Sequence, residues 1–352
     1  MTEREVLNTF RTEFKTLFPR LKKARIAGEP RERDFTRSDL KIVLPMRGGE
    51  KVLVGEVAAQ GYPKQLREKG LRALETSQGV AAGYPVIIAP HISQMGKEVC
   101  KKLGIGYLDL SGNAYLDFDE LYMDIEGRPS KFKEKREMRG LFTPRAERIL
   151  RFYLLKTWPT GSWVGTGYRE IAAEVSVSVG QVAKVNQKLD QLGFWIEESK
   201  GLKVLDRTKL VDAWRDNYRF DRSRPVYLYS LNPPPQVERE LAEFCKQRNA
   251  RYALTLFSAG EKLASFTRYS LASAYFSGEL EELKKALSLK EVSSGANLMI
   301  LVPYDEGVYY RTQEVKSAVV ASPLQVYLDL YAYKSGRARE QAEFLRENVL
   351  KF

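Results

Sequence analysis

The sequence predicts a multidomain α/β protein with a small, mainly helical module at its centre, and three observations lead there. First, 352 residues exceed what a single hydrophobic core usually organises, so two or three domains are expected, with three fitting the pattern best. Second, strand-length apolar runs alternate with helical repeats on both flanks, over 40–117 and again over 226–302. Third, the stretch 144–205 between them carries three short helical patterns followed by two short strand patterns. A hydrophobic fraction of 43% with 11% aromatic residues supports packed cores rather than extended disorder. The expected boundaries are an α/β domain at 1–127, a basic linker at 128–143, the central module at 144–206 and a C-terminal mixed α/β domain at 207–352.

In the N-terminal domain, residues 1–20 place Val6, Leu7, Phe10, Phe14, Leu17 and Phe18 on one side of a helix. Strands are expected at Leu40–Leu44, Lys51–Val57, Val86–Ala89, Gly106–Leu110 and Ala114–Asp117, with helices at about Pro63–Gln78 and at Gln94–Leu103. Two acids sit on the early strands, Asp39 just before Leu40 and Glu56 within Val54-Gly-Glu-Val-Ala58. This pattern resembles the PD-(D/E)XK restriction-endonuclease-like fold. The resemblance implies magnesium held by an Asp and a Glu on neighbouring strands, with a Lys two residues after the Glu orienting the attacking water. Ala58 stands where that lysine is expected, leaving Lys64 or Lys69 of the following helix as the substitute ammonium. The domain therefore reads as a degenerate nuclease fold without activity, and Asp39 and Glu56 as vestigial, serving strand-end solvation and a structural ion pair.

Other enzyme classes find little support. His91 is the only histidine, so no paired-histidine metal site exists, and no GxSxG elbow accompanies it to build a Ser-His-Asp triad. Its expected role is that of a polar residue at a strand end. No GxxxxGK[ST] phosphate loop occurs, and no cofactor or metal is expected. Cys100 and Cys245 lie far apart in expected helices and read as core residues. No apolar run approaches the roughly 18 residues that span a bilayer, and the first residues lack a signal-peptide core, so a cytoplasmic protein without membrane contact is expected.

The formal charge of +12 favours an acidic partner, of which nucleic acid is the commonest. Between Arg128 and Arg151 nine basic residues face three acids, a density that suits an arm tracking phosphates as well as a solvated linker. Thr143-Pro144 then opens a first helix at Arg145–Lys156, with Ile149, Leu150, Phe152, Tyr153 and Leu154 on its repeat. A second helix, Tyr168–Val175, breaks at Ser176-Val-Ser178, whose hydroxyls suit a turn and an N-cap. The third, Val179–Leu192, buries Val182, Val185, Leu189 and Leu192 and stops at Gly193. Two strands, Phe194–Glu198 and Leu202–Leu205, follow, joined by Ser199-Lys200-Gly201. Helix, helix, turn, helix and hairpin in that order is a winged helix-turn-helix. Its expected contacts with double-stranded DNA are Lys133, Lys135, Arg136, Arg139 and Arg145 from the arm and Ser178, Gln181, Lys184 and Lys188 from the third helix, with Lys200 at the wing tip. Ser178 and Gln181, nearest the helix start, are the expected base readers.

The C-terminal domain is expected to hold strands at Val226–Ser230, Tyr252–Phe257 and Asn297–Val302, and a hairpin strand near Val308–Tyr310. Its helices are expected at Gln236–Arg248, Gly260–Phe266 and Leu280–Ser288, with two more from Pro323. The pieces Leu256–Leu263, Ser294–Asn297, Pro303–Asp305, Ser322–Leu330 and Glu340–Glu343 resemble bacterial regulators of the AbiEi antitoxin family of type IV toxin-antitoxin systems. The resemblance implies a repressor of its own operon whose partner is a nucleotidyltransferase-like toxin, with the antitoxin activity in the C-terminal domain. Two-fold operator symmetry makes a homodimer the expected assembly, although no interface is legible. A magnesium-dependent DNA nuclease and a protein-binding adaptor are the alternatives, and salt dependence of duplex binding separates the adaptor from the regulator.

Overall fold

The computed structural model describes residues 1–27, 38–119, 121–131, 140–156, 167–198, 202–265, 268–334 and 336–351. The chain divides into two compact units, one of residues 1–137 with 187–194, the other of residues 138–186 with 195–352.

The first unit is a seven-stranded sheet with helices on both faces. Its elements are α1 (Glu3–Leu17), β1 (Arg25–Ile26), β2 (Leu40–Met46), β3 (Gly49–Val57), α2 (Pro63–Gln78), β4 (Gly83–Ala89), α3 (Gln94–Lys102), β5 (Gly106–Asp109), β6 (Ala114–Phe118) and β7 (Leu121–Ile125). The strands lie in sequence order, parallel at β3/β4 and β4/β5 and antiparallel elsewhere. Helical crossovers through α2 and α3 supply the two parallel pairings. The central strand β4 is apolar on both sides because both faces are covered. Val86 and Ile88 join the α1 core with Phe10 and Phe14, whereas Ile87 and Ala89 join the core that includes Leu66 of α2 and Cys100 of α3. Thr2 and Glu5 close a capping box at the start of α1, and Ser93 caps α3 through the Gly96 N–H at 3.1 Å. The short β1 and the edge strand β7 go beyond the elements expected from sequence.

The second unit opens with α4 (Pro144–Lys156), α5 (Tyr168–Glu174) and the first part of α6 (Val179–Gln191), whose residues from Gln187 on belong to the first unit, then the hairpin β8 (Trp195–Glu198) and β9 (Leu202–Leu205). It continues through α7 (Arg207–Asn217), β10 (Arg224–Tyr229), α8 (Pro234–Arg248), β11 (Arg251–Leu254), α9 (Leu256–Leu263), β12 (Ala272–Ser277) and α10 (Leu280–Ala286). Then come β13 (Lys290–Glu291), β14 (Leu298–Val302), β15 (Gln313–Val315), β16 (Ala318–Val320), α11 (Pro323–Ala332) and α12 (Ala338–Leu345). The larger sheet runs β13-β10-β14-β12-β11-β16-β15, with parallel pairing only at β12/β14 and β11/β16.

Two expectations here need correction. Val308–Tyr310 is not a hairpin strand: Glu306–Tyr309 forms a 3-10 turn, because the Asp305 carboxylate accepts the Gly307 N–H at 2.7 Å and is itself clamped by Arg148. The strand expected at Tyr252–Phe257 stops at Leu254, since Leu256 takes a left-handed φ of 47° and α9 begins there.

A chain of buried polar groups ties α4 to the rest of this unit. Asp329 of α11 is fully buried and accepts hydrogen bonds from the Tyr218 hydroxyl (2.6 Å), the Tyr275 hydroxyl (2.9 Å), Thr255 Oγ1 (2.5 Å) and Gln325 Nε2 (2.9 Å). Gln325 Oε1 in turn accepts from Arg151 Nη2 at 2.5 Å, and Arg151 stacks over Trp214 at 4.9 Å. Glu147, also fully buried, accepts from the Tyr304 hydroxyl and from Arg222 Nη1 at 2.6 Å. Buried polar groups are tolerated when hydrogen-bonded in this way.

Candidate nucleic-acid interface

The three helices and the hairpin of the central segment fall where sequence periodicity places them, within a residue or two. Helix α6 is built by a buried stripe of Val182, Val185, Leu189 and Leu192, each at most 5% exposed. Ser178 Oγ accepts the Gln181 N–H at 3.2 Å and so caps the helix start. Gly193 ends it with a φ of +72°, and the Phe194 N–H reaches back to the Leu189 carbonyl at 2.9 Å. Asn186 Nδ2 donates to the Tyr153 hydroxyl of α4 at 2.6 Å, and the Tyr153 ring meets Trp195 of the hairpin edge-on at 5.4 Å.

Of the residues expected to touch DNA, Arg145, Ser178 and Lys184 are exposed, and Gln181 and Lys188 are half-buried. The cap uses the acceptor side of the Ser178 hydroxyl and leaves its proton free to donate. Lys133, Lys135, Arg136, Arg139 and Lys200 lie outside the described residues. Two further members of the basic run do not present free charge. Arg148 Nε and Nη2 bind the Asp305 carboxylate, each at 2.8 Å, and Arg151 is only 1% exposed within the polar chain already traced. Helical periodicity puts both on the inward face of α4, a signal that counting charges alone passes over.

Three exposed residues beside these positions are absent from the sequence-based set. Val179, the first residue of α6, is 44% exposed, and Tyr168, the first of α5, is 42% exposed. Arg169 beside it is also exposed. A methyl-bearing side chain at a helix start can meet a thymine methyl, and a tyrosine hydroxyl and an arginine can meet phosphates. Their position at helix starts was the available clue.

In the first unit, Asp39 and Glu56 do come together. Asp39 Oδ2 accepts the Val57 N–H at 2.8 Å, and Glu56 is 4% exposed. Lys69 of α2 places its ammonium 3.9 Å from each carboxylate and 3.0 Å from Glu3 Oε1. Burial, reinforced by repulsion from Asp39 and opposed by Lys69, pushes the Glu56 carboxyl up to about 7. Ala58 is fully buried in the apolar layer with Leu66 and Cys100, so a lysine there would strand its charge in that layer. Of the two substitute lysines, Lys64 pairs instead with Asp190 at 2.5 Å, leaving Lys69 as the cation that meets the acids. Among the described residues no three Asp, Glu, His or Cys groups could hold a metal ion. Lys69 thus stands beside the two acids as the one of the two substitute lysines that reaches them.

His91 also has a defined place. Its Nδ1 lies 3.2 Å from Ser111 Oγ and 3.5 Å from Asp109 Oδ2, so serine and aspartate share one ring nitrogen. A catalytic triad needs them on opposite nitrogens, and the arrangement is structural. Burial, with Lys97 adding to it, lowers the His91 pKa against the pull of Asp109. Asp109 is committed to the backbone N–H groups of Ile92 (3.1 Å) and Asn113 (2.9 Å). Close by, Gly61 is required: a Cβ there would sit 1.8 Å from the His91 carbonyl oxygen.

Residues 203–351 match the family model described as transcriptional regulator, AbiEi antitoxin, type IV TA system. The resemblance read from the C-terminal sequence pieces is thereby borne out over that part of the chain. No curated protein and no solved structure matches the chain. The pieces that carried the resemblance include the buried polar positions: Thr255 adjoins the first piece, and Tyr304, Asp305, Ser322, Gln325 and Asp329 lie within later ones.

Proposed function

Proceeding from the AbiEi similarity of residues 203–351, we propose that the chain is a DNA-binding transcriptional regulator that represses its own operon. The observation that carries this reading is the order α4, α5, turn, α6, hairpin, with a capped α6 whose start leaves Ser178, Val179 and Lys184 exposed. That order is a winged helix-turn-helix, in which α6 enters the major groove and the hairpin is the wing. Phosphates are held by Arg145, Arg169, Lys184 and Lys188 with the arm residues, while Ser178 and Gln181 read base edges. The C-terminal α/β region supplies the antitoxin role that the family description names, with a nucleotidyltransferase-like toxin as partner, and a homodimer reads two half-sites.

The first unit is read as a degenerate restriction-endonuclease-like domain. Its helix, antiparallel strands, crossover helix and parallel strand support that fold, and the Asp39-Glu56-Lys69 cluster stands where the nuclease chemistry would be. With Lys69 as counter-charge, the cluster is a structural ion-pair group.

Binding of the purified chain to duplex from its own upstream region, against scrambled duplex, tests the regulator. Gln181→Ala is expected to cost about 1–3 kcal/mol on the cognate duplex and little on the scrambled one, whereas Lys184→Gln weakens both alike. Equal losses on both duplexes for Gln181→Ala would remove it from base readout. The same samples with magnesium are expected to stay intact; cutting that disappears in Glu56→Ala would restore the nuclease reading.

A further inference from the structure

In the first unit, the short segment between α1 and β1 concentrates positive charge. From Phe14 to Ile26 the sequence places Lys15, Arg20, Lys22, Lys23 and Arg25 and no acid. Every third residue of this segment is driven inward: Phe18, Leu21 and Ala24 are at most 4% exposed and join the α1 core. The backbone between them is pinned, the Leu21 N–H on the Phe18 carbonyl at 2.9 Å and the Ala24 N–H on the Leu21 carbonyl at 2.8 Å. Arg20, Lys22 and Lys23, which fall between the inward positions, are all exposed on this fixed support. Strand β1 pairs antiparallel with β2, Arg25 opposite Val43, so the residues before β1 run toward the β2–β3 turn, where Arg47 is exposed as well.

The neighbouring acids are already taken. Glu50 is held by Arg25 at 2.6 Å and Asp119 by Lys51 at 2.8 Å, and among the described residues Arg20, Lys22, Lys23 and Arg47 have no acid within ion-pair distance. Cations gathered on one surface repel, and protein surfaces usually intersperse the two signs, so an unmatched array fits an external polyanion. An anionic bilayer and a nucleic acid both qualify by charge. A basic segment that docks on a bilayer also inserts apolar side chains. Here Leu17, Phe18, Leu21 and Ala24 are at most 6% exposed, which leaves nothing to insert, whereas the phosphates of a duplex need only the cations.

We propose that the first unit carries a phosphate-contact surface of its own, formed by Arg20, Lys22, Lys23 and Arg47, which holds duplex DNA without regard to sequence. The inference rests on the duplex binding of the proposed regulator and gives the first unit a part in it.

The test is binding of the full chain to cognate and to scrambled duplex across a salt series, for the parent, for Arg20→Gln/Lys22→Gln/Lys23→Gln and for Lys22→Gln alone. A control removes the same charge elsewhere, as Arg239→Gln/Lys246→Gln/Lys285→Gln at exposed positions of the second unit. The triple variant is expected to make the slope of log K against log salt shallower by about 2.7 and Lys22→Gln by about 0.9, on both duplexes alike, while the control keeps the parent's slope. Thermal unfolding midpoints are expected to stay level, since every substituted side chain is exposed. A triple variant that keeps the parent's slope, or a control that changes it equally, overturns the proposal. Binding to phosphatidylserine vesicles that the triple variant loses, with its duplex slope unchanged, also overturns it and assigns the segment to a membrane. The regulator reading is judged apart from this: if Gln181→Ala and Lys184→Gln change nothing while the triple variant weakens binding, that reading falls and the surface stands. No duplex binding by the parent overturns both.

Discussion

Arg151 shows what a single side chain can hold together. It is 1% exposed, bonds Gln325 and the Tyr304 hydroxyl, stacks on Trp214 and lies 3.6 Å from Glu147. Arg151→Ala leaves Gln325 Oε1 and the Tyr304 hydroxyl without their buried donor and empties the face of Trp214, while Arg222 stays on Glu147, so a loss of about 1–3 kcal/mol is expected in denaturant unfolding. A loss below about 1 kcal/mol, the size of an exposed ion pair, would show the network to be dispensable. Glu56 makes the opposite case, because its folded pKa lies near 7 against an ordinary 4.5. Between those values the native state holds a proton that the unfolded state has released, so stability falls as pH rises from about 4.5 to 7. Glu56→Gln is expected to be more stable than the parent at pH 8, to match it near pH 4 and to flatten the slope between. A variant less stable at pH 8 would mean that the contacts of Glu56 with Lys69 outweigh its burial. Neither role announces itself in sequence: Arg151 reads as one more cation in a basic run, and Glu56 as a vestigial acid left to solvation and a structural ion pair.

At the level of elements, legibility follows how much each depends on its own residues. Helix α6 was readable because its apolar stripe, its Ser178 cap and its Gly193 stop are all local. Ser178→Ala is accordingly expected to lower stability by about 1 kcal/mol, and a thermal unfolding midpoint unchanged by it would deny the cap. Strand β12, Ala272–Ser277, was not readable, although it is central in its sheet. Alanine and serine have little intrinsic strand preference, and the segment is held by β11 and β14 on either side. The 3-10 turn at Glu306–Tyr309 was misread as a strand for a related reason. Its apolar Val308 and its aromatics suggest a strand, but the distant Arg148 fixes the Asp305 that turns the chain.

For the molecule as a whole, α4 is the element on which the account turns. One face belongs to the helical segment with Tyr153 and Asn186, and another is bonded through Arg148 and Arg151 to Asp305 and Gln325 of the region that matches the AbiEi model. Helices α4 and α5 of the proposed DNA reader and the region that matches the AbiEi model are therefore parts of one packed unit, and disturbance of the buried chain is expected to reach both. The charge of +12 is spread unevenly, with Arg148 and Arg151 consumed internally, so only exposed cations count toward phosphate contact. The most direct test is the affinity of the full chain for duplex from its own upstream region across a salt series. With the exposed Arg145, Arg169 and Lys184 on phosphates, log K is expected to fall against log salt with a slope of about −2.7 or steeper, and Lys184→Gln to make it shallower by about 0.9. A flat response would contradict the regulator reading and leave the helical segment as a protein-binding module.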